Sequence, residues 1–149
     1  METVISKKWE IYNKINKEFE ELYHKIAVNY NISDSSLWIL YALYQSDHSY
    51  TQMDICREWY FNKQTVNSAI KNLEKLGYIN KEFGEENKQD KKITLTNLGY
   101  DFAEKTVKNV IMIEKIAFSK ISEKELEKMI ELLQKVLFSL KEEAEKKIL

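Results

Sequence analysis

The chain has no proline, 3 glycines and 1 cysteine in 149 residues, and each scarcity removes a class of explanation. With glycine only at Gly77, Gly84 and Gly99, few positions break a helix, so long stretches can stay helical. A glycine-rich phosphate loop is excluded on the same ground. Cys56 alone can form neither an internal disulfide nor a multi-cysteine metal motif, which suits a reducing cytoplasm. His24 and His48 stand on different segments, so no histidine metal cluster is expected. There is no run of about 18 or more apolar residues, and METVISKKWE at the start is charged too early for a signal peptide. The expectation is a soluble, cytoplasmic chain without a membrane partner. The formal net charge is -1, from 23 basic and 24 acidic side chains, so any attraction to nucleic acid must be read from local charge. No HExxH, nucleophile elbow or His/Cys pairing at motif spacing occurs, and no enzyme activity or cofactor is expected.

What is present is a 44% hydrophobic chain, enough for one domain with a real core. One local pattern recurs five times: a Ser, Thr or Asn preceded by an apolar residue that can staple onto another five positions later. It predicts helix starts at Ser33, Thr51, Asn62, Thr96 and Ser122, with capping acids Asp54 and Glu125 for the second and the fifth. An N-terminal helix is expected from Ile5, Trp9, Tyr12, Phe19, Leu22 and Ile26, with Ile15 filling the interval. In the last helix Leu126, Ile130, Leu133, Leu137 and Leu140 form a seam that suits either a second copy of the chain or packing within its own domain.

After Gly77 the period changes from helical to alternating. YINKEF and ITLT read as two short strands, joined by the charged tip GEENKQDKK. A hairpin this small is not stable alone in water and must lean on the helices before it. A short helix from Thr51 to about Trp59, a turn, a second helix over 62–76 and then a hairpin is the order of a winged helix-turn-helix. The expected fold class is therefore mainly α with a small β-hairpin wing.

In helix 62–76, Val66, Ala69, Ile70, Leu73 and Leu76 form the stripe expected to be buried. Lys63, Gln64, Asn67, Ser68 and Lys71 fall on the opposite side, with Thr65 at the N-terminal edge. Gln and Asn each pair a donor with an acceptor, as the major-groove edge of adenine requires, and Ser and Thr can bond bases or phosphates. The lysines and the helix N-terminus can meet phosphates. A plain solvated face competes with this reading, but between Asn62 and Asn72 there are lysines and no acid, against the balance of the whole chain. Lys88, Lys91 and Lys92 in the hairpin tip suit the phosphates or the minor groove, whereas Glu85, Glu86 and Asp90 among them suit a solvated turn. Cys56 is expected to be a small buried hydrophobe.

The segment TQMDICREWYFNKQTVNSAIKNLEKLGYI, with the charged hairpin and ITLTNLG after it, resembles the MarR family (multiple antibiotic resistance regulators) of bacterial transcription factors. The similarity extends over nearly the whole chain. It implies one MarR-type domain over 1–149, with a winged helix-turn-helix lobe over 33–96 and dimerisation helices over 1–30 and 100–149. The function implied is a homodimeric, sequence-specific regulator of transcription, a repressor. Helix 62–76 would lie in the major groove and the wing 78–95 at the backbone or minor groove. DNA contact would fall to Lys63, Gln64, Thr65, Asn67, Ser68 and Lys71, and to the wing lysines. Asn87 and Gln89 stand where the family commonly has the Asp and Arg of its wing, so Lys88, Lys91 or Lys92 must substitute.

The resemblance also makes Ile5, Trp9, Tyr12, Leu133, Leu137 and Leu140 dimer-interface candidates. Two-fold symmetry then sets recognition helices about 34 Å apart on pseudo-palindromic double-stranded DNA. Relatives that answer to small aromatic acids suggest an effector pocket, for which Tyr12, Trp38, Tyr41 and Tyr44 are candidates beside their ordinary reading as core. The competing function is a winged-helix dimer that serves as a protein-interaction module without DNA.

Overall fold

The computed structural model describes residues 4–47, 49–83 and 91–149, with the side chains of Val4 and Ile5 outside that set. Seven helices and three strands follow one another as α1 (Val4–Asn29), α2 (Asp34–Gln45), β1 (Tyr50–Thr51), α3 (Gln52–Glu58), α4 (Lys63–Lys75), β2 (Ile79–Phe83), β3 (Lys91–Leu95), α5 (Asn97–Lys105), α6 (Val107–Phe118) and α7 (Glu123–Lys147) among the described residues. The fold is mainly helical with a small antiparallel sheet, as the order of periods in the sequence requires. No described helix is long and apolar enough to cross a membrane.

All five capped starts are present. Ser33, Thr51, Asn62, Thr96 and Ser122 each accept a backbone N–H with the side chain, from Ser36 (3.1 Å), Asp54 (3.1 Å), Thr65 (2.7 Å), Gly99 (2.9 Å) and Glu125 (3.3 Å). Asp54 and Glu125 return the bond to the cap N–H at 2.9 and 2.8 Å, completing two capping boxes. Each such cap stabilises its helix by about 1 kcal/mol, because it satisfies amides that no turn of helix can.

The chain forms two compact units, 1–108 and 109–149, with the boundary inside α6. In the first unit α2, α3, α4 and the sheet surround a core of Leu37, Ile39, Leu40, Ile55, Val66, Ile70, Leu73, Ile79 and Ile93, all essentially inaccessible. The sheet has the order β1-β3-β2. Tyr50 pairs with Ile93 and Ile79 with Leu95, so the hairpin is tied to the start of α3 as well as to the end of α4. The strand β1 was not expected from the sequence: two residues are too few to show a period, and Thr51 had been read only as a cap.

Between α4 and the wing the chain reverses at Gly77, whose φ of 77° is unfavourable for any residue with a Cβ. Gly77 N–H donates to Glu74 O (3.0 Å) and Tyr78 N–H to Leu73 O (2.9 Å), a Schellman closure of α4. Thr96 locks the other end of the wing, its N–H donating to Tyr78 O (3.0 Å) and its hydroxyl to Gly77 O (2.5 Å). A Cβ at Gly99 would stand 1.8 Å from Tyr78 O, so only glycine lets α5 start this close to the wing. The LEKLGYI and LTNLG runs are thus two halves of one junction.

In the second unit α7 has 25 residues and none is buried. Leu133, Leu137 and Leu140 are 40%, 52% and 50% exposed, an apolar seam open to solvent in the single chain.

Candidate nucleic-acid interface

The helix α4 is fixed by its cap Asn62, by the buried side chains Val66, Ala69, Ile70 and Leu73, and by the Gly77 turn. Leu76 does not complete that stripe. It is the C-cap and is 42% exposed, because the chain already turns away there and Leu73 occupies the last inward position. The first turn of α4 carries no acid, so nothing opposes an anion at its amide-rich end.

A cleft of about 820 Å³ lies along α4, between its polar face, α3 and the sheet. Lys63, Gln64, Asn67 and Lys71 border it from α4, Lys81 and Lys91 from the strands, and Met53 and Cys56 from α3. Among the described residues no acidic side chain lines it. The lysines differ in how free their charge is. Lys81 is only 17% exposed and stands 3.1 Å from Glu74, an ion pair that holds β2 to α4. Lys91 lies over the Phe83 ring at 4.7 Å, a contact between opposite residues of the two strands that fixes the base of the wing. A pair of amides among basic groups in one concavity can present hydrogen bonds to base edges and charge to phosphates together.

Thr65 and Ser68 face elsewhere. They border a second hollow of about 500 Å³ with Ser33 and Ser35 at the start of α2, and Gln64 borders both. Lys92 is exposed opposite Glu82. Alternation along β3 sends it to the other face from Lys91, so the two are not one charged pair. Lys88 lies outside the described residues, as do Asn87 and Gln89.

Two residues of the cleft were missed or misread in the sequence. Lys81 was not among the expected contacts, since the tip of the hairpin is far richer in lysine; the period of two does place it on the same face as Ile79, opposite Ile93. Cys56 was expected to be buried, yet it is half-buried and borders the cleft, because Ile55 takes the inward position of α3.

Of the aromatic effector candidates, Trp38 and Tyr41 come together, with ring centroids 5.4 Å apart, and share a cluster with Trp59 and Tyr23. The other two lie with different partners. Tyr12 stacks on Trp9 at 4.6 Å. Tyr44 donates its hydroxyl to Glu104 and sits 5.6 Å from Tyr100. That hydrogen bond, with burial and the Glu104 charge behind it, pushes the Tyr44 phenol up to about 12. The Lys108 ammonium, 2.6 Å from Glu104, and the Tyr44 hydroxyl hold the Glu104 carboxyl below the usual range. His24 is paired with Asp34 at 2.9 Å. Among the described residues no three His, Cys, Asp or Glu side chains gather as a metal would need.

Residues 30–92 match the model of the MarR family. Most of the chain is similar to several solved structures. The DNA complex of MepR from Staphylococcus aureus is 27% identical with a TM-score of 0.72, over 88% of this chain and 96% of that one. NMB1585, a MarR family regulator from Neisseria meningitidis, is 20% identical with a TM-score of 0.78, over 92% and 95%. MarR of Staphylococcus aureus, solved with salicylate and kanamycin, is 22% identical with a TM-score of 0.71, over 95% of both chains. No protein with curated annotation matches the chain.

Proposed function

We propose that the chain, whose residues 30–92 match the MarR family model, is a winged-helix transcription regulator of that kind: a dimeric, sequence-specific DNA-binding repressor. The observation that carries the proposal is the cleft in which Gln64 and Asn67 stand among Lys63, Lys71, Lys81 and Lys91, with no acid among its described lining residues. Helix α4 enters the major groove of double-stranded DNA, its amides reading base edges and its lysines positioned at phosphates. The wing approaches the flanking backbone or the minor groove through Lys91, with Lys88 and Lys92 as further basic groups. The likeness to a relative solved on DNA supports the same docking.

The second copy is supported by the open seam of α7, where exposed Leu133, Leu137 and Leu140 recur at helical spacing over a helix with no buried residue. Ile5, Trp9 and Tyr12 are further candidates for contact with the second copy. A symmetric dimer reads a pseudo-palindrome with half-sites about one helical turn, ~34 Å, or a multiple of it apart. A small aromatic effector that releases DNA is assigned to the cluster of Trp38 and Tyr41, with Tyr12 and Tyr44 as further candidates.

Selection of bound sites from random double-stranded DNA tests the function directly. The expected product is a pseudo-palindrome whose binding weakens steeply with salt. Absence of any bound DNA at low salt refutes the proposal and leaves the protein-interaction module in its place.

A further inference from the structure

Away from the lysine cleft, a hollow of about 310 Å³ opens between the end of α2 and the end of α3. Its walls are Ala42 and Gln45 from α2 and its C-cap Ser46, then Asp47, Tyr50 and Trp59, the C-cap of α3. Its electrostatics favour a cation, and among the described residues no basic side chain lines it. A helix C-terminus carries a partial negative charge on its last carbonyls, and α2 has no basic residue in its last turn to answer it. The exposed carboxylate of Asp47 adds a full charge at the same end. Trp59 supplies an aromatic wall, and its ring is braced by Trp38 at 5.9 Å and by Tyr41 at 5.9 Å, so it is held in place before anything binds. Tyr50 closes the floor, its phenol pushed up by burial and by the neighbouring Glu58 carboxylate, a second acid near the hollow.

We propose that this hollow binds a small organic ammonium ion, with Asp47 as counter-ion and the Trp59 ring as its cation–π wall. The size suits a molecule at the low end of drug-like ligands. The hollow is separate from the cleft assigned to DNA, and the occupant differs in charge from an aromatic acid. Its wall Trp59 ends α3 three residues before the cap of α4, which gives an occupant direct contact with the turn of the helix-turn-helix.

The test is calorimetric titration of the full chain, without DNA, with benzyltrimethylammonium chloride, and with sodium phenylacetate at the same ionic strength. Saturable binding of the ammonium that excess phenylacetate does not displace is expected. Asp47→Asn should weaken binding by about fivefold or more, Asp47→Lys should abolish it, and Trp59→Phe should retain it better than Trp59→Leu. Glu131→Gln, remote in sequence on α7, is expected to leave it unchanged. Circular dichroism checks that each variant is folded, and Asp47→Asn decides the matter if Trp59→Leu is not. No saturable binding by the wild-type chain, equal affinity in Asp47→Asn, or an equal loss in Glu131→Gln overturns the proposal. Since DNA is absent from the titration, failure here leaves the DNA-binding proposal standing, and failure of site selection leaves this one standing.

Discussion

Replacing Gln64 and Asn67 together by Ala separates base reading from everything else that α4 does. Both side chains border the cleft, Gln64 exposed and Asn67 half-buried, and neither belongs to the buried stripe of Val66, Ala69, Ile70 and Leu73. The cap Asn62 and the Gly77 closure are untouched, so folding stability should change by no more than about 0.5 kcal/mol, as for other surface substitutions. Each amide that pairs bidentately with an adenine is worth about 1–3 kcal/mol of discrimination against the wrong base. The pair lies one helical turn apart on a single face, so the upper sum is about 6 kcal/mol and the lower about 2. At about 1.4 kcal/mol per tenfold, the selected site should lose from about 30-fold to about 10⁴-fold of its preference over scrambled DNA. Binding to scrambled DNA should persist, because Lys63, Lys71 and Lys91 remain. Fluorescence anisotropy on the two duplexes, with thermal melts of the variant, measures both terms. A folded variant with unchanged preference would refute the assignment of base reading to this face and return it to a solvated surface.

Substituting Lys88, Lys91 and Lys92 by Ala should weaken binding about equally on all sequences and flatten the salt slope by up to about 2.7, at about 0.9 per phosphate contact; unchanged affinity would remove the wing from the interface. Leu137→Asp should shift the chain from dimer to monomer in sedimentation, since an unpaired carboxylate at the centre of the α7 seam must stay wet. Gly99→Ala should cost about 2 kcal/mol or more in thermal unfolding, because the added Cβ, 1.8 Å from Tyr78 O, forces the start of α5 away from the wing. The carboxyl of Glu104 is held low in the folded chain by Lys108 and Tyr44, so its contribution to stability is present above the ordinary glutamate value and is lost as pH falls through the folded one. Urea titrations should therefore show a shallower acid-side loss in Glu104→Gln. At the other end, the Tyr44 phenol is raised to about 12, so its contribution holds below about 10 and disappears as pH climbs toward 12. Tyr44→Phe should remove that alkaline component.

Local chemistry is what the sequence by itself determined. A cap needs a hydroxyl or amide within three residues of an orphan N–H, and so all five helix starts were legible at Ser33, Thr51, Asn62, Thr96 and Ser122. The change of period after Gly77 likewise placed the wing, and the lack of acids between Asn62 and Asn72 marked the polar face of α4. What only the tertiary structure decided is which of these groups meet. Strand β1 exists because Tyr50 and Thr51 find β3 some forty residues later, a pairing with no local signature. Lys81 and Cys56 enter the cleft, and Lys92 leaves it, according to the face that strand pairing and the inward turn of Ile55 give them. Leu76 fits the helical stripe by number and is exposed because the chain has already reversed. Trp38 and Tyr41 join Trp59 while Tyr44 goes to Glu104, although all three of Trp38, Tyr41 and Tyr44 share one helix. Periodicity and capping act over a few residues, whereas a site is assembled by packing between segments far apart in the chain, and the sequence lists its parts without stating their distances.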